Sequence, residues 1–148
     1  MKAASKREQS QASLSSAERE QARYEVSDLR FMDGIENNVY DIASEFAIRI
    51  VNLYKYLKEE KHESIMSKQL FRSGTSIGAN AFEGKNAQSR ADFCNKMNIA
   101  LKEATETGYW LDLLYKTGFL NQTQYDSIIK DWNRIMGVLT KIVKATRQ

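Results

Sequence analysis

Gln69-Leu-Phe-Arg-Ser-Gly-Thr-Ser-Ile-Gly-Ala-Asn-Ala-Phe-Glu-Gly84 is the stretch whose reading decides the fold. Wound as a helix at about 100° per residue, it places Leu70, Gly74, Ile77, Gly78 and Ala81 on one side and Arg72, Ser76, Asn80 and Glu83 on the other. Glycine inside a helix costs roughly 1 kcal/mol relative to alanine, so Gly74 and Gly78, four residues apart, ask for the close approach of another helix. A phosphate-cradling loop does not fit these residues. Gly84-Lys85 is followed by Asn86, the residue five before Gly84 is Ala79, and no strand precedes it.

Outward from this stretch the apolar residues keep helical spacing. Ile35, Val39, Ile42, Phe46, Ile50, Leu53 and Leu57 predict a first helix over about 35–60, and the quoted stretch sits in a second over about 64–87. Ser89 with Asp92 three residues on resembles a capping box and opens a third helix, about 89–117, whose apolar face is Phe93, Met97, Ala100, Ala104, Leu111 and Leu114. Gly118 is placed to end it. Thr123 with Asp126 gives a second capping box and a last helix, about 123–145. Its apolar side is wide, running from Tyr125, Ile128 and Ile129 through Trp132 and Ile135 to Leu139, Ile142 and Val143. Stripes this broad bury more than one neighbour. The fold expected is all-α, an antiparallel up-and-down four-helix bundle over 31–148, with leftover apolar surface covered by self-association.

Composition agrees. The 148 residues, 42% hydrophobic and 28% charged, suffice for one domain and its core, and the chain has no proline to break a helix. Residues 1–30 hold few large apolar side chains, and a flexible or marginally helical tail is expected there. The single cysteine, Cys94, forms no intramolecular disulfide, which fits a reducing cytoplasm. No apolar run reaches the roughly 18 residues of a membrane span, so a soluble cytoplasmic protein without membrane contact is expected.

Chemistry-bearing patterns are few. His62 is the only histidine and sits in a charged connector, with no partner for a triad or a metal site. Carboxylates on neighbouring helices lack the Glu-x-x-His motifs of dimetal bundles, and Cys94 has no imidazole base. No catalytic residue, metal or cofactor is expected. If the second and third helices turn back near Gln88, Glu83 falls level with Lys96, and Arg72 with Glu103 and Glu106; these residues, with Ser76 and Asn80, are expected to form a structural polar network of partly buried ion pairs.

Charge is unevenly spread. Residues 31–62 carry four basic and six acidic side chains, residues 121–148 five and two. Relative to Lys130 at 0°, Arg134 lies at about 40°, Lys141 at about 20° and Lys144 at about −40°, opposite the apolar face. This line spans roughly 21 Å and predicts a nucleic-acid-binding edge, with Asp126 weakening one end. The competing expectation is a protein-interaction scaffold that does not bind nucleic acid. No recognition helix or stacking module sets a sequence preference.

The quoted stretch and Asp92-Phe-Cys-Asn-Lys-Met-Asn-Ile-Ala-Leu-Lys-Glu-Ala-Thr-Glu-Thr-Gly-Tyr-Trp-Leu111 together resemble the signature of the four-helix-bundle proteins named after 23S ribosomal RNA intervening sequences. The arginine, serine, asparagine and glutamate of one helix recur with the lysine, glutamate pair and tryptophan of the next, and the likeness runs over roughly residues 38–145. The resemblance implies a homopentameric ring without catalytic residues. A related branch implies a further role, as the accessory variability protein of diversity-generating retroelements, in which a basic pentamer binds a reverse transcriptase and RNA or DNA.

Overall fold

The computed structural model describes the backbone of residues 15–147 and the side chains of residues 15–16 and 39–147. Among the described residues four helices follow one another: α1 (Ser16–Glu59), α2 (Met66–Gly84), α3 (Arg90–Lys116) and α4 (Gln122–Thr146). No strand occurs among the described residues. The chain divides into two compact units, Met1–Glu36 and Asn37–Gln148, and the division falls inside α1. In the first unit the backbone is helical from Ser16; the earlier part of the expected tail, residues 1–14, lies outside the described residues, as does the side chain of Ile35.

In the second unit, neighbouring helices run antiparallel. Along α1 and α2, Tyr40 meets Phe82 and Tyr54 meets Phe71, at ring separations of 5.5 and 5.0 Å. Along α2 and α3, Ser73 accepts from Thr107 at 3.0 Å and Glu83 accepts from Lys96 at 2.8 Å. Along α3 and α4, Arg90 donates to the Ala145 carbonyl and Trp132 donates from Nε1 to the Ala104 carbonyl, at 2.9 and 2.7 Å. Arg49 of α1 reaches α4 at Asp131 and Ser127. Four neighbour pairs joined in this way are the contacts of an up-and-down bundle.

The core lies where the apolar stripes meet. Val39, Phe46, Ile50 and Leu57 of α1, Leu70 and Ile77 of α2, and Met97, Leu111 and Leu114 of α3 are at most 1% exposed, as are Ile135 and Leu139 of α4. Burial of such side chains is worth roughly 1.5–3 kcal/mol each and is the main term holding the helices together. Small residues set the closest approaches. A Cβ on Gly74 would lie 2.7 Å from Ile50 Cγ2, whereas one on Gly78 would meet nothing closer than the Ala43 carbonyl at 3.7 Å. The close approach that the glycine pair predicts is therefore made at Gly74.

Helix ends follow local chemistry. Ser89 accepts from the Asp92 backbone N–H at 3.1 Å, and the Asp92 carboxylate reaches back to the N–H of Gln88 rather than of Ser89. Gly118 follows the cap of α3 with φ +85°, the left-handed conformation glycine tolerates best. The expected Thr123–Asp126 box does not form. The cap of α4 is Asn121, whose side chain accepts from the Gln124 backbone while Gln124 bonds the Asn121 N–H, both at 2.8–2.9 Å. The same i, i+3 pattern of short polar residues occurs twice here, and the copy nearer the turn takes the cap; Asp126 instead accepts from Gln122. α2 is shorter than expected, ending at Gly84.

Glu63, in the connector, is 7% exposed. Its carboxylate accepts the backbone N–H groups of Ile65, Met66 and Ser67 at 2.8–2.9 Å, which are orphan donors at the start of α2. Burial acts to raise its pKa, but these hydrogen bonds outweigh it and hold the carboxyl below the usual glutamate value.

Candidate nucleic-acid interface

Lys130, Arg134, Lys141 and Lys144 all lie exposed on the side of α4 turned away from the core. The apolar positions Ile128, Ile135, Leu139, Ile142 and Val143 take the buried side, which leaves these four to solvent. None of them forms an ion pair or hydrogen bond with another described residue. The four charges are thus available to an external anion.

The nearby carboxylates do little to cancel them. Asp131 is drawn toward α1, where Arg49 Nη1 bonds its Oδ2 at 2.6 Å and also donates to the Ser127 carbonyl at 3.0 Å. Arg49 Nη2 donates to Ser127 Oγ at 2.8 Å. Asp126 stays exposed at the N-terminal end of the edge, so the positive potential is strongest from Arg134 to Lys144. Gly137 lies on the same side, and a Cβ there would find nothing within 4 Å. Arg49 and its partners are some 80 residues apart in the chain, and no spacing rule in the sequence marks them.

The expected polar network separates into two groups. Lys96 pairs with Glu83 at 2.8 Å, and Arg72 pairs with Glu103 at 3.3 Å and with Glu106. Ser76 Oγ donates to the Arg72 carbonyl and Asn80 Nδ2 to the Ser76 carbonyl, so both side chains are satisfied on their own helix and do not join the ion pairs. The pairs are also wetter than expected: Arg72 is 49% and Glu83 61% exposed. They join α2 and α3 at the surface, while the buried Ser73–Thr107 hydrogen bond joins them inside. His62 is exposed in the connector with φ 54°. No helix among the described residues is long and apolar enough to cross a membrane.

No curated protein matches this chain. Among solved structures it is similar to a protein of unknown function from the S23 ribosomal protein family of Bacteroides thetaiotaomicron, with 57% identity, a TM-score of 0.73, and coverage of 74% of this chain and 98% of that one. The family model described as 23S rRNA-intervening sequence protein matches residues 35–141, from the middle of α1 almost to the end of α4. The chain belongs to the 23S rRNA-intervening sequence protein family.

Proposed function

We propose that the protein is a non-catalytic oligomeric scaffold that binds RNA or DNA without sequence preference through the outer face of α4. The observation that carries this reading is the line of four exposed, unpaired cations at Lys130, Arg134, Lys141 and Lys144, beside an Asp131 already engaged by Arg49. The line is about 21 Å long at 1.5 Å per residue, enough to follow several phosphates. Self-association into a ring, a homopentamer on the family resemblance, repeats the line around one surface and multiplies its field and its avidity. On the same resemblance the protein partner is a retroelement reverse transcriptase; work in a reducing cytoplasm fits the single cysteine, Cys94.

A second reading, a protein-interaction scaffold that does not bind nucleic acid, is favoured by the apolar side chains Ile48, Phe71 and Phe82, which are 62, 38 and 46% exposed. Salt separates the two. A fluorescent structured RNA and a duplex DNA are titrated at several salt concentrations with the protein and with a variant carrying Lys130→Gln, Arg134→Gln, Lys141→Gln and Lys144→Gln. Salt-sensitive binding that the variant loses supports the first reading. Absence of binding at low salt by the intact protein removes it.

A further inference from the structure

Leu53 belongs to the apolar stripe of α1, yet it is half-buried where Ile50 and Leu57 on either side of it are fully buried. It lines a groove of about 410 Å³ between α1 and the first turns of α4. Sites for small ligands run from about 300 to 1,000 Å³. Leu53 and Ile128 give this one an apolar lining, while Arg49, Asn52 and Tyr56 of α1 and Gln124 of α4 supply polar groups. A second hollow, of about 590 Å³, adjoins it through Arg49 and Ser127 and is lined by Lys130, Asp126 and Asn133. Together the two run from the α1–α4 boundary to the cation edge at Lys130.

The polar groups of the groove are largely unused by the fold. The side chains of Asn52 and Tyr56 form no hydrogen bond or ion pair with another described residue. Gln124 accepts the Asn121 backbone N–H through Oε1 at 2.9 Å, which fixes its amide and leaves Nε2 without a partner among the described residues. Arg49 is the exception, held still by its bonds to Asp131, the Ser127 carbonyl and Ser127 Oγ, yet its side chain remains 40% exposed. A guanidinium held in one orientation is a flat surface on which a base can stack, and a tyrosine ring is another.

We propose that this groove takes an unpaired nucleotide of the strand whose phosphates follow the α4 edge, an assignment that rests on the nucleic-acid reading above. The base lies against Arg49 and Tyr56, its edge meets Asn52 and Gln124, and Lys130 takes the adjoining phosphate. A cation beside a flat, amide-edged groove suits a ligand that alternates charge with planar hydrogen-bonding groups, which a nucleic-acid strand does and an acidic peptide does not. Bases inside a duplex are paired and stacked on one another, so the occupant is single-stranded. The Asn52 amide and the Tyr56 hydroxyl both donate and accept, so they serve any base edge, in keeping with binding without sequence preference. Asp126 opposes a phosphate here and accepts from Gln122 at 2.7 Å, while Asp131 is paired with Arg49. The strand therefore leaves Lys130 toward Arg134.

The experiment measures affinity by fluorescence anisotropy at one low salt concentration, with helicity followed by circular dichroism. The ligands are a DNA single strand, the same strand with stable abasic residues in place of its bases, and a duplex of equal length. Wild type is expected to bind the base-bearing strand about 5- to 150-fold tighter than the abasic one. Tyr56→Ala should lower affinity for the base-bearing strand by about that factor and leave the abasic strand and the duplex unchanged, and Tyr56→Phe, which keeps the ring, should restore it. Asn52→Ala, at an exposed position, should act with the same selectivity. Equal binding of the two strands by wild type, or an equal loss on all three ligands in Tyr56→Ala, would overturn the groove as a base site and leave the cation edge standing. A nucleoside monophosphate that displaces the strand at the strand's own concentration would overturn the strand as the occupant. Failure of the intact protein to bind any of the three overturns both readings.

Discussion

Gly74 lies against Ile50 so closely that a Cβ on it would come within 2.7 Å of Ile50 Cγ2 and 2.9 Å of Cγ1. Ile50 is a fully buried, β-branched side chain on a helix, with little rotamer freedom to retreat. Gly74→Ala gains about 1 kcal/mol of helix propensity but overpacks at a cost of roughly 1–3 kcal/mol. A net loss of about 1 kcal/mol is expected by urea denaturation at fixed protein concentration. Gly137→Ala meets no neighbour and should gain up to about 1 kcal/mol. Gly78→Ala, with its nearest contact at 3.7 Å, should be neutral or mildly stabilising, and a loss equal to that of Gly74→Ala would contradict this packing.

Glu63 gives a pH dependence whose sign is fixed. Its folded-state pKa lies below that of the unfolded chain, so the stability it supplies is fully present above the unfolded value, about 4.3, and is lost as pH falls through the folded value. Glu63→Gln leaves the N–H groups of Ile65, Met66 and Ser67 without a carboxylate and is expected to cost about 0.5–2 kcal/mol near neutrality. Denaturation midpoints of the two proteins should converge as the medium is acidified. A constant gap down to acid pH would show that Glu63 acts without its charge.

The helical part of this architecture was legible because its signals are local. Apolar spacing gives the buried faces of α2, α3 and α4, and Ser89 and Gly118 mark the ends of α3. What escaped depends on alternatives that local chemistry leaves nearly equal or on distance in the chain. Asn121 and Thr123 offer similar caps, and the structure uses the one nearer the turn. Glu63 reads as one more charge in a solvated connector until the chain folds over it. For the polar residues of α2, periodicity and the turn place Glu83 level with Lys96 and Arg72 level with Glu103 and Glu106, but do not separate Ser76 and Asn80 from those pairs. Arg72 and Glu83 reach across to α3, while Ser76 and Asn80 bond back four residues along their own helix.

The Arg72 pairs should contribute little on their own. With Arg72 49%, Glu106 37% and Glu103 23% exposed, a double-mutant cycle between Arg72→Ala and Glu106→Ala is expected to give a coupling of about 0.2–1 kcal/mol that shrinks with added salt. Ser73→Ala removes the partner of the buried Thr107 hydroxyl. Thr107 keeps its bond to the Glu103 carbonyl, so the expected cost is about 1 kcal/mol and insensitive to salt. Salt dependence therefore separates the surface register contacts from the buried one.

The α4 edge makes a quantitative prediction about counterions. Each phosphate neutralised on duplex DNA contributes about −0.9, and on a single strand about −0.7, to the slope of log K against log salt. If Lys130, Arg134, Lys141 and Lys144 each take one phosphate, neutralising all four should flatten the slope by about 3.6 on a duplex or about 2.8 on a single strand per bound protomer. Exchanging Asp126 for Asn should raise affinity at low salt, since its carboxylate is exposed on the same edge. Substituting Asp131 should act differently, because Arg49 keeps its two hydrogen bonds to Ser127 and stays between α1 and α4. Asp131→Asn is expected to leave the slope unchanged, whereas a slope steeper by about one contact would show that Arg49, once released, joins the phosphate-binding edge.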